Sequence, residues 1–392
     1  MLFSFAMMIL VGVFLAMMMR KFGLPNLLGY LLAGIILGPF VFNVIDTTTF
    51  QISSDIRQIA LMIILMRAGL NLKISDLKKV GPSALLMCFV PASFEILGLM
   101  ILAPIFLHLD LLNAAILGTV LAAVSPAVVV PLMLKLMDEG YGTKEGIPQL
   151  IMAGASMDDV YVIVLFTSLL TLAKSGEFNA LSLLRIPTSI LFGIVSGIVL
   201  GYVLCKLYRL LKLSTEIELA CMFAVGMALI TIERMMTGAV GFSGLLAIMA
   251  MTSSVRHIKP EMADTYSAVL AKLWQPAEIF LFALVGASVR IDYAVSFGPV
   301  VLIVIILALL FRMLGVYLSV MKTKFNMKEK IFTMIAYIPK ATVQAAIGGL
   351  ALEAGLASGE LILTAAVTAI LFTAPLGAIF ISFTYRNFLQ KA

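Results

Sequence analysis

The chain has 392 residues, of which 62% are hydrophobic and only 12% are charged, and its mean hydropathy is +1.12. Soluble globular proteins carry roughly 45–50% apolar and about 25% charged residues, so this composition excludes a water-soluble fold. It predicts a single membrane domain with short loops. The net charge of +6 does not indicate nucleic-acid binding, because the basic residues lie beside apolar segments, as in membrane-protein loops.

Thirteen apolar segments come close to the roughly 20 residues that a membrane-spanning helix needs. They are 2–19, 25–44, 56–72, 82–107, 111–134, 148–173, 186–205, 216–233, 236–252, 273–289, 297–321, 331–352 and 360–385. If the N-terminus lies on the outer side of the membrane, 19 of the 27 basic residues fall in segments on the inner side. Five fall in segments on the outer side, and three lie within the spans. This bias predicts an outer N-terminus and a cytoplasmic C-terminus. The polar-interrupted segment 254–271 is predicted to be a linker helix along the cytoplasmic surface.

Two of these segments contain prolines at positions where a helix would be interrupted near the middle of the membrane. The fifth contains Ser125-Pro126 and then Pro131, and the twelfth contains Pro339-Lys340. Proline removes a backbone donor and clashes with the preceding turn. Each interrupted segment is the second of three, in segments 4–6 and 11–13, and these groups have opposite orientations. This pattern predicts an all-α transporter with inverted repeats and two crossed, broken helices.

Ionisable side chains inside a membrane are costly, so each requires an explanation. Asp158 and Asp159 lie in the sixth segment with roughly ten apolar or small residues on either side. Adjacent helical positions point about 100° apart, so the two carboxylates cannot share one partner symmetrically. We expect one carboxylate to face a cavity and the other to engage a neighbouring group.

Three further charges lie deep in the predicted spans. Arg312 stays protonated, so a buried carboxylate is its best partner, and Glu95 is the natural candidate for a structural ion pair. Lys340 follows the proline of the twelfth segment. Its ammonium is expected either to stabilise the negative ends of half-helices or to pair with Asp158.

The sequence contains no phosphate-binding loop, no metal-ligand cluster and no histidine beside a nucleophile. It therefore predicts neither an enzyme nor a cofactor. An ATP-driven pump is excluded as well, so any coupled transport must use an ion gradient.

Several runs resemble the cation/proton antiporter superfamily, specifically its NHA sodium/proton exchanger branch. They are SPAVVVP at 125–131, the aspartate pair with the preceding MAGAS, PKATVQAAIG at 339–348, RAGL at 67–70 and GYGTKEGIP at 140–148. The resemblance extends over essentially the whole chain. It implies a homodimer in a lipid bilayer and elevator-like alternating access.

The resemblance also implies a division of labour along the chain. It places a mobile ion-binding core at about 82–173 and 297–385. The dimerisation region is about 1–72 and 186–252, and 254–292 forms the linker helix and a connecting span.

By the same resemblance, Asp159 is the carboxylate that binds the cation and the proton, and Asp158 supports it. Glu95 pairs with Arg312, and Lys340 lies at the helix crossing. Related antiporters often carry a lysine where Arg312 stands, so their electrogenic stoichiometry does not transfer to this chain.

Together these features predict exchange of Na⁺ or Li⁺ for H⁺ across a cell membrane. Ionised Asp159 binds a partly dehydrated cation, helped by oxygens such as those of Ser125, Ser156 or the backbone carbonyls at the interruption. The alternatives are a K⁺/H⁺ exchanger, a sodium-coupled solute symporter and, from a different class, an ion channel or membrane sensor.

Overall fold

The computed structural model describes residues 1–71, 82–175, 185–211, 213–235 and 241–391. In these ranges the chain forms eighteen helices. They are α1 Leu2–Lys21, α2 Asn26–Leu37, α3 Thr47–Gln51, α4 Ser53–Asn71, α5 Pro82–Met87, α6 Val90–Leu107, α7 Leu111–Ala122, α8 Pro126–Asp138, α9 Ile147–Ser175, α10 Arg185–Leu211, α11 Thr215–Met235, α12 Gly244–Ile258, α13 Pro260–Ala287, α14 Ile291–Val320, α15 Met327–Ala336, α16 Thr342–Ile347, α17 Leu350–Glu353 and α18 Gly359–Phe388.

The helices belong to two compact units. The first comprises Met1–Ser54, Ser75–Phe166 and Ile279–Ala392, and the second comprises Asp55–Ile74 and Thr167–Glu278. All of the deep charges singled out in the sequence lie in the first unit. The boundaries differ from the predicted division into core and dimerisation regions, because 1–54 falls in the same unit as 82–166. Movement of the core relative to the dimerisation region remains a prediction.

In the first unit, α6 and α14 pack closely and bring Glu95 and Arg312 together. A Cβ atom on Gly315 would lie 2.8 Å from the Cα of Pro91, so the missing side chain permits this approach. Gly98 has the same role further along this contact, where a Cβ would lie 2.6 Å from the ring of Phe311. Small residues at such contacts are typical of helices that pack inside membranes.

In the second unit, α10 packs on α12 along a ridge of glycines spaced four residues apart. A Cβ on Gly197 would lie 2.3 Å from the carbonyl oxygen of Ala247, so the two backbones meet directly. Elsewhere on α10, Leu191 and Val199 are 58% and 54% exposed. Exposed apolar side chains of this kind provide a surface suited to hydrocarbon.

The chain leaves helical geometry at both places where the prolines predict it. α7 ends at Ala122 and α8 begins at Pro126, which leaves residues 123–125, the first interruption, outside either helix. The residue before a proline is disfavoured in a helix, whereas proline itself is well suited to the first helical position. α15 ends at Ala336 and α16 begins at Thr342, so residues 337–341 form the second interruption.

Nine helical segments in the described ranges are long and apolar enough to cross a membrane. Four of the thirteen predicted spans are not among them: 25–44, 56–72, 236–252 and 331–352. The first contains the twelve-residue helix α2, which ends before Gly38-Pro39, and the last is divided by the second interruption. The segment 56–72 carries Arg57 and Arg67, and residues 236–240 lie outside the described ranges. The total of thirteen therefore stays a prediction.

Residues 254–271 do not form a helix of their own. The first portion ends α12 at Ile258, and the remainder begins α13, which continues without a break through most of the predicted tenth span. Pro260 occupies the first helical position of α13, where its missing N–H costs nothing. Residues 260–271 of the predicted linker and most of the connecting span are thus one continuous helix.

Candidate ion-binding site

Four buried charges form a connected network in the first unit. Arg312 is 1% exposed and donates from Nη1 to Glu95 Oε2 at 2.9 Å and from Nη2 to Asp158 Oδ2 at 2.6 Å. Lys340 is fully buried, and its Nζ lies 2.7 Å from Glu95 Oε1. Two acids and two bases therefore balance one another inside the protein. Buried charges are tolerated when they are paired and hydrogen-bonded in this way.

The C-terminal end of α7 receives the cationic members of this network. Lys340 Nζ donates to the carbonyl oxygen of Leu121, and Arg312 Nη1 donates to that of Ala122. The amide of Gln344 donates to Ala123 O at 2.9 Å. The last carbonyls of a helix lack partners within the helix and carry partial negative charge. The ammonium, the guanidinium and the amide group therefore stabilise the C-terminal end of α7.

This arrangement bears on the expectation that carbonyls at the first interruption bind a cation. The carbonyl oxygens of Leu121, Ala122 and Ala123 each accept a hydrogen bond from a side chain. The donors are, in that order, Lys340, Arg312 and Gln344. A positive ion would have to compete with an ammonium or a guanidinium at two of them. These three oxygens are poor candidates for cation ligands.

The two interruptions also meet through the backbone. The N–H of Ser125 donates to the carbonyl oxygen of Pro339 at 2.8 Å, and the N–H of Val124 donates to Asp158 Oδ2 at 2.9 Å. On the other side, the N–H of Lys340 donates to the hydroxyl of Thr373 at 3.0 Å. Backbone groups freed by the prolines are thus satisfied inside the protein, as irregular backbone at membrane depth requires.

Asp159 lies next to Asp158 in α9 but stands outside this network. It is 6% exposed, and none of the ion pairs found within the described ranges includes it. Its Oδ1 is buried and has no hydrogen-bond partner among the described residues. Because adjacent helical residues point in different directions, Asp158 faces Arg312 and Asp159 does not. Asp159 therefore adds one negative charge that the four-residue network leaves uncompensated.

The two serines predicted to support the site have different outcomes. Ser125 is 1% exposed, and its Oγ has no hydrogen-bond partner in the portion of the chain that the structure describes. Ser125 directly precedes the first residue of α8. It follows Val124, whose N–H donates a hydrogen bond to Asp158. The side chain of Ser156 lies outside what the structure describes.

Lys340 was expected either at half-helix carbonyls or beside Asp158. It donates to the carbonyl at the end of α7, and its ion-pair partner is Glu95. The partner of Asp158 is Arg312, a pairing that the sequence did not predict. This contact joins α9 to α14, which are far apart along the chain, and no spacing within the sequence encodes it.

Sequence reasoning also missed two uncharged members of the site. Gln344 follows Lys340 by four residues in an otherwise apolar run, and this spacing at the start of a helix was a usable signal. Tyr337 directly follows α15 and accepts a hydrogen bond from Arg312 Nε at 2.9 Å through its carbonyl oxygen. Its ring centre lies 5.3 Å from the guanidinium carbon. An aromatic residue just before Ile338-Pro339 gave no comparable indication.

A many-helix apolar protein with buried, balanced charges between two interrupted helices has the features of a secondary ion transporter. The comparisons with known proteins make this assignment specific. The family model described as "Sodium/hydrogen exchanger, transmembrane" matches residues 6–386, and the chain belongs to this family. The resemblance to the cation/proton antiporter superfamily and its NHA branch is thereby confirmed.

The relatives agree with this membership. Sodium/hydrogen exchanger 9B2 of Homo sapiens is 35% identical over 385 residues, which cover 94% of this chain and 70% of the relative. Sodium/hydrogen exchanger 9B1 of Homo sapiens is 35% identical over 371 residues, covering 91% and 71%.

Among solved structures, the sodium proton antiporter MjNhaP1 from Methanocaldococcus jannaschii at pH 8 matches with a TM-score of 0.81. The match covers 97% of this chain and 95% of that one at 20% identity, so it shows a shared fold. The chain is therefore a multi-pass membrane protein with an antiporter fold.

Proposed function

We propose that this protein exchanges Na⁺ or Li⁺ for H⁺ by alternating access, with the cation and the proton competing for Asp159. Membership of the sodium/hydrogen exchanger family supports the reaction. One observation supports the choice of carboxylate: Asp159 is buried beside a network of charges that is already balanced without it.

The proposed chemistry is a competition at one acid. Ionised Asp159 attracts a partly dehydrated alkali cation, and Ser125 supplies a neutral oxygen whose hydrogen bonding is not already satisfied among the described residues. Protonated Asp159 is neutral and does not hold the cation. Because Asp158 is adjacent, the two acids are expected to titrate as a coupled pair.

Asp158 has a supporting role in this proposal. It holds Arg312 on one side and the Val124 N–H on the other, so it joins α9 to the first interruption. Glu95 and Lys340 complete the balance of charge. Movement of the core, about 82–173 and 297–385, would carry this group as a unit between the two sides of the membrane.

The balance of charge favours one-for-one, electroneutral exchange. With Asp159 ionised, the five deep groups carry a single negative charge, and one Na⁺ or one H⁺ neutralises it. A neutral core crosses a low-dielectric region at the least cost. Arg312 does not release a proton in proteins, so it is not a second carrier. The expected flux is therefore independent of membrane potential.

The cellular arrangement follows the same proposal. We place the protein in a plasma or inner membrane as a homodimer, with the N-terminus outside and the C-terminus in the cytoplasm. The dimerisation region is about 1–72 and 186–252. The bias of basic residues toward the inner loops supports this orientation.

Purified protein in proteoliposomes with an internal pH dye tests the function. An imposed pH gradient is expected to collapse when Na⁺ or Li⁺ is added and to respond less to K⁺. A response to K⁺ equal to that with Na⁺ would favour the K⁺/H⁺ exchanger, and a need for an organic solute would favour the symporter. Cation flux without proton movement would indicate a channel.

Clamping the liposomes with K⁺ and valinomycin at several voltages tests the stoichiometry, because a voltage-dependent flux contradicts one-for-one exchange.

A further inference from the structure

Tyr337 connects the second interruption to Arg312. It directly follows the last residue of α15 and is 1% exposed. Its carbonyl accepts from Arg312 Nε at 2.9 Å, and its ring lies beneath the guanidinium at 5.3 Å. These contacts orient the side chain, so its hydroxyl lies at a defined place.

The hydroxyl end of Tyr337 reaches the backbone of α9 at Gly154. A Cβ atom on Gly154 would lie 2.0 Å from the phenol oxygen and 3.4 Å from the ring carbon that carries it. Only a glycine therefore lets the hydroxyl approach this closely. Gly154 precedes Asp158 by four residues, so both lie on the same face of the helix, one turn apart.

The phenol oxygen itself is not explained by packing. It is buried and has no hydrogen-bond partner among the described residues. Burying a hydroxyl without a partner destabilises a protein, and phenylalanine would fill the same space. Asp158 and Asp159, on the same helix as Gly154, each have a buried Oδ1 that also lacks a hydrogen-bond partner in the described ranges. The unsatisfied hydroxyl thus contacts the helix that carries these two carboxyl groups, one turn before Asp158.

We propose that Tyr337 is a positioning residue of the ion site, whose phenol oxygen accepts a hydrogen bond from a water molecule that the cation keeps when it binds. The same water donates its second hydrogen to Asp158 Oδ1. Side chains of a helix lean toward its N-terminus, so the carboxyl group of Asp158 extends over the turn that begins at Gly154, where the phenol oxygen of Tyr337 lies. Water-mediated contacts of this kind hold a ligand nearly as well as direct ones. The inference rests on the proposed function, since it assigns a residue to the same cation.

The substitution Tyr337→Phe separates the hydroxyl from the ring. The Na⁺ concentration for half-maximal exchange is expected to rise about three- to tenfold, the factor that corresponds to one hydrogen bond. The maximal rate should change less than twofold, and the melting temperature in detergent should stay the same or rise. Tyr317→Phe, on the helix of Arg312 and half-buried, is the matched control and should leave all three quantities unchanged.

Gly154→Ala tests the contact from the other side. The new methyl group should displace the hydroxyl and raise the half-maximal Na⁺ concentration in the parent protein. The new methyl group would also lie 2.9 Å from the Cβ of Met87, which should lower the melting temperature equally in both backgrounds. In the Tyr337→Phe background the ring carbon stays at 3.4 Å, so the same change should have little further effect on the half-maximal Na⁺ concentration. Such non-additivity is the signature of two residues that act through one contact.

The outcomes separate this inference from the proposed function. If the parent protein shows no Na⁺-driven proton flux, the proposed function fails and the inference fails with it. If the parent exchanges normally and Tyr337→Phe has an unchanged half-maximal Na⁺ concentration, only the inference is overturned. Failure of Tyr337→Phe to fold also overturns it, because the hydroxyl would then be a packing group.

Discussion

Asp158 and Asp159 are adjacent in sequence, yet their surroundings differ in kind. Asp158 belongs to a network in which every charge has a partner, and its Oδ2 accepts from both a guanidinium and a backbone N–H. Asp159 is just as deeply placed but is included in none of the ion pairs of the described residues. Two identical side chains that are neighbours in the chain thus differ in what they contact, because their positions on the helix face different directions.

We expect the paired and the unpaired carboxylate to affect different properties of the protein. A paired network resists change because removing one member leaves another charge buried without a partner. A carboxylate without a partner costs free energy in the folded protein but remains available to bind a cation or a proton. We expect substitutions in the network to affect mainly the free energy of unfolding and substitutions of Asp159 to affect mainly transport.

The largest effect is expected from Asp159→Asn. The amide keeps the shape but does not alternate between charged and neutral forms, so Na⁺-driven proton flux should be abolished. Because a buried charge is removed, the melting temperature should be unchanged or higher. Proteoliposome flux and thermal unfolding in detergent measure the two quantities. Asp138→Asn, at the exposed end of α8, is the control, and flux near the parent rate in Asp159→Asn would refute the assignment.

Glu95→Gln tests the opposite side of the comparison. Removing one partner of a buried ion pair costs about 3–5 kcal/mol, so the melting temperature should fall markedly. Glu95 holds both Arg312 and Lys340, and the double variant Glu95→Gln/Lys340→Gln restores the balance of charge. It should therefore be more stable than Glu95→Gln alone. Two losses that simply add would show that the charges are not energetically coupled.

Competition at Asp159 predicts a link between Na⁺ and pH. Protons displace Na⁺ at low pH, so a higher Na⁺ concentration should maintain cation binding to a lower pH. Above the dissociation constant, the pH of half-maximal Na⁺ occupancy should fall by about one unit for each tenfold rise in Na⁺. Titrations of Na⁺-dependent flux at several fixed pH values measure this shift. A midpoint that stays constant would mean that the two ions use separate sites.

The smallest effect is expected at an uncharged member of the site. Gln344→Leu removes the donor to the carbonyl oxygen of Ala123 and leaves that oxygen without this hydrogen bond. The free energy of unfolding should fall by about 1–3 kcal/mol, with exchange retained. Gln51→Leu, at the exposed end of α3, serves as the control. A loss as large as that of Glu95→Gln would place Gln344 within the charged network.

Some features of this protein were accessible from the sequence because they depend on local chemistry. Pro126 and Pro339 marked both interruptions, since proline disrupts a helix whatever surrounds it. The cost of burying a charge singled out Glu95, Asp158, Asp159, Arg312 and Lys340 before any contact was known. The runs around them were long enough to place the chain in its family.

Helix lengths were predicted less well. The sequence indicates how apolar a segment is, but where a helix stops also depends on its neighbours. The continuous helix α13 absorbed a predicted linker, and α2 ended after twelve residues although the apolar segment runs further. Local hydropathy does not distinguish these cases.

Composition and the two prolines indicated a membrane protein with two interrupted helices and five deep charges, because their effects extend over only a few residues. Which of these charges meet depends on the packing of distant helices. It joined Arg312 to both Glu95 and Asp158, and it left Asp159 outside the network. Such pairings depend on the packing of α6, α9 and α14, which are far apart along the chain. Their side-chain directions are set by contacts such as Gly315 on Pro91, which no local pattern specifies.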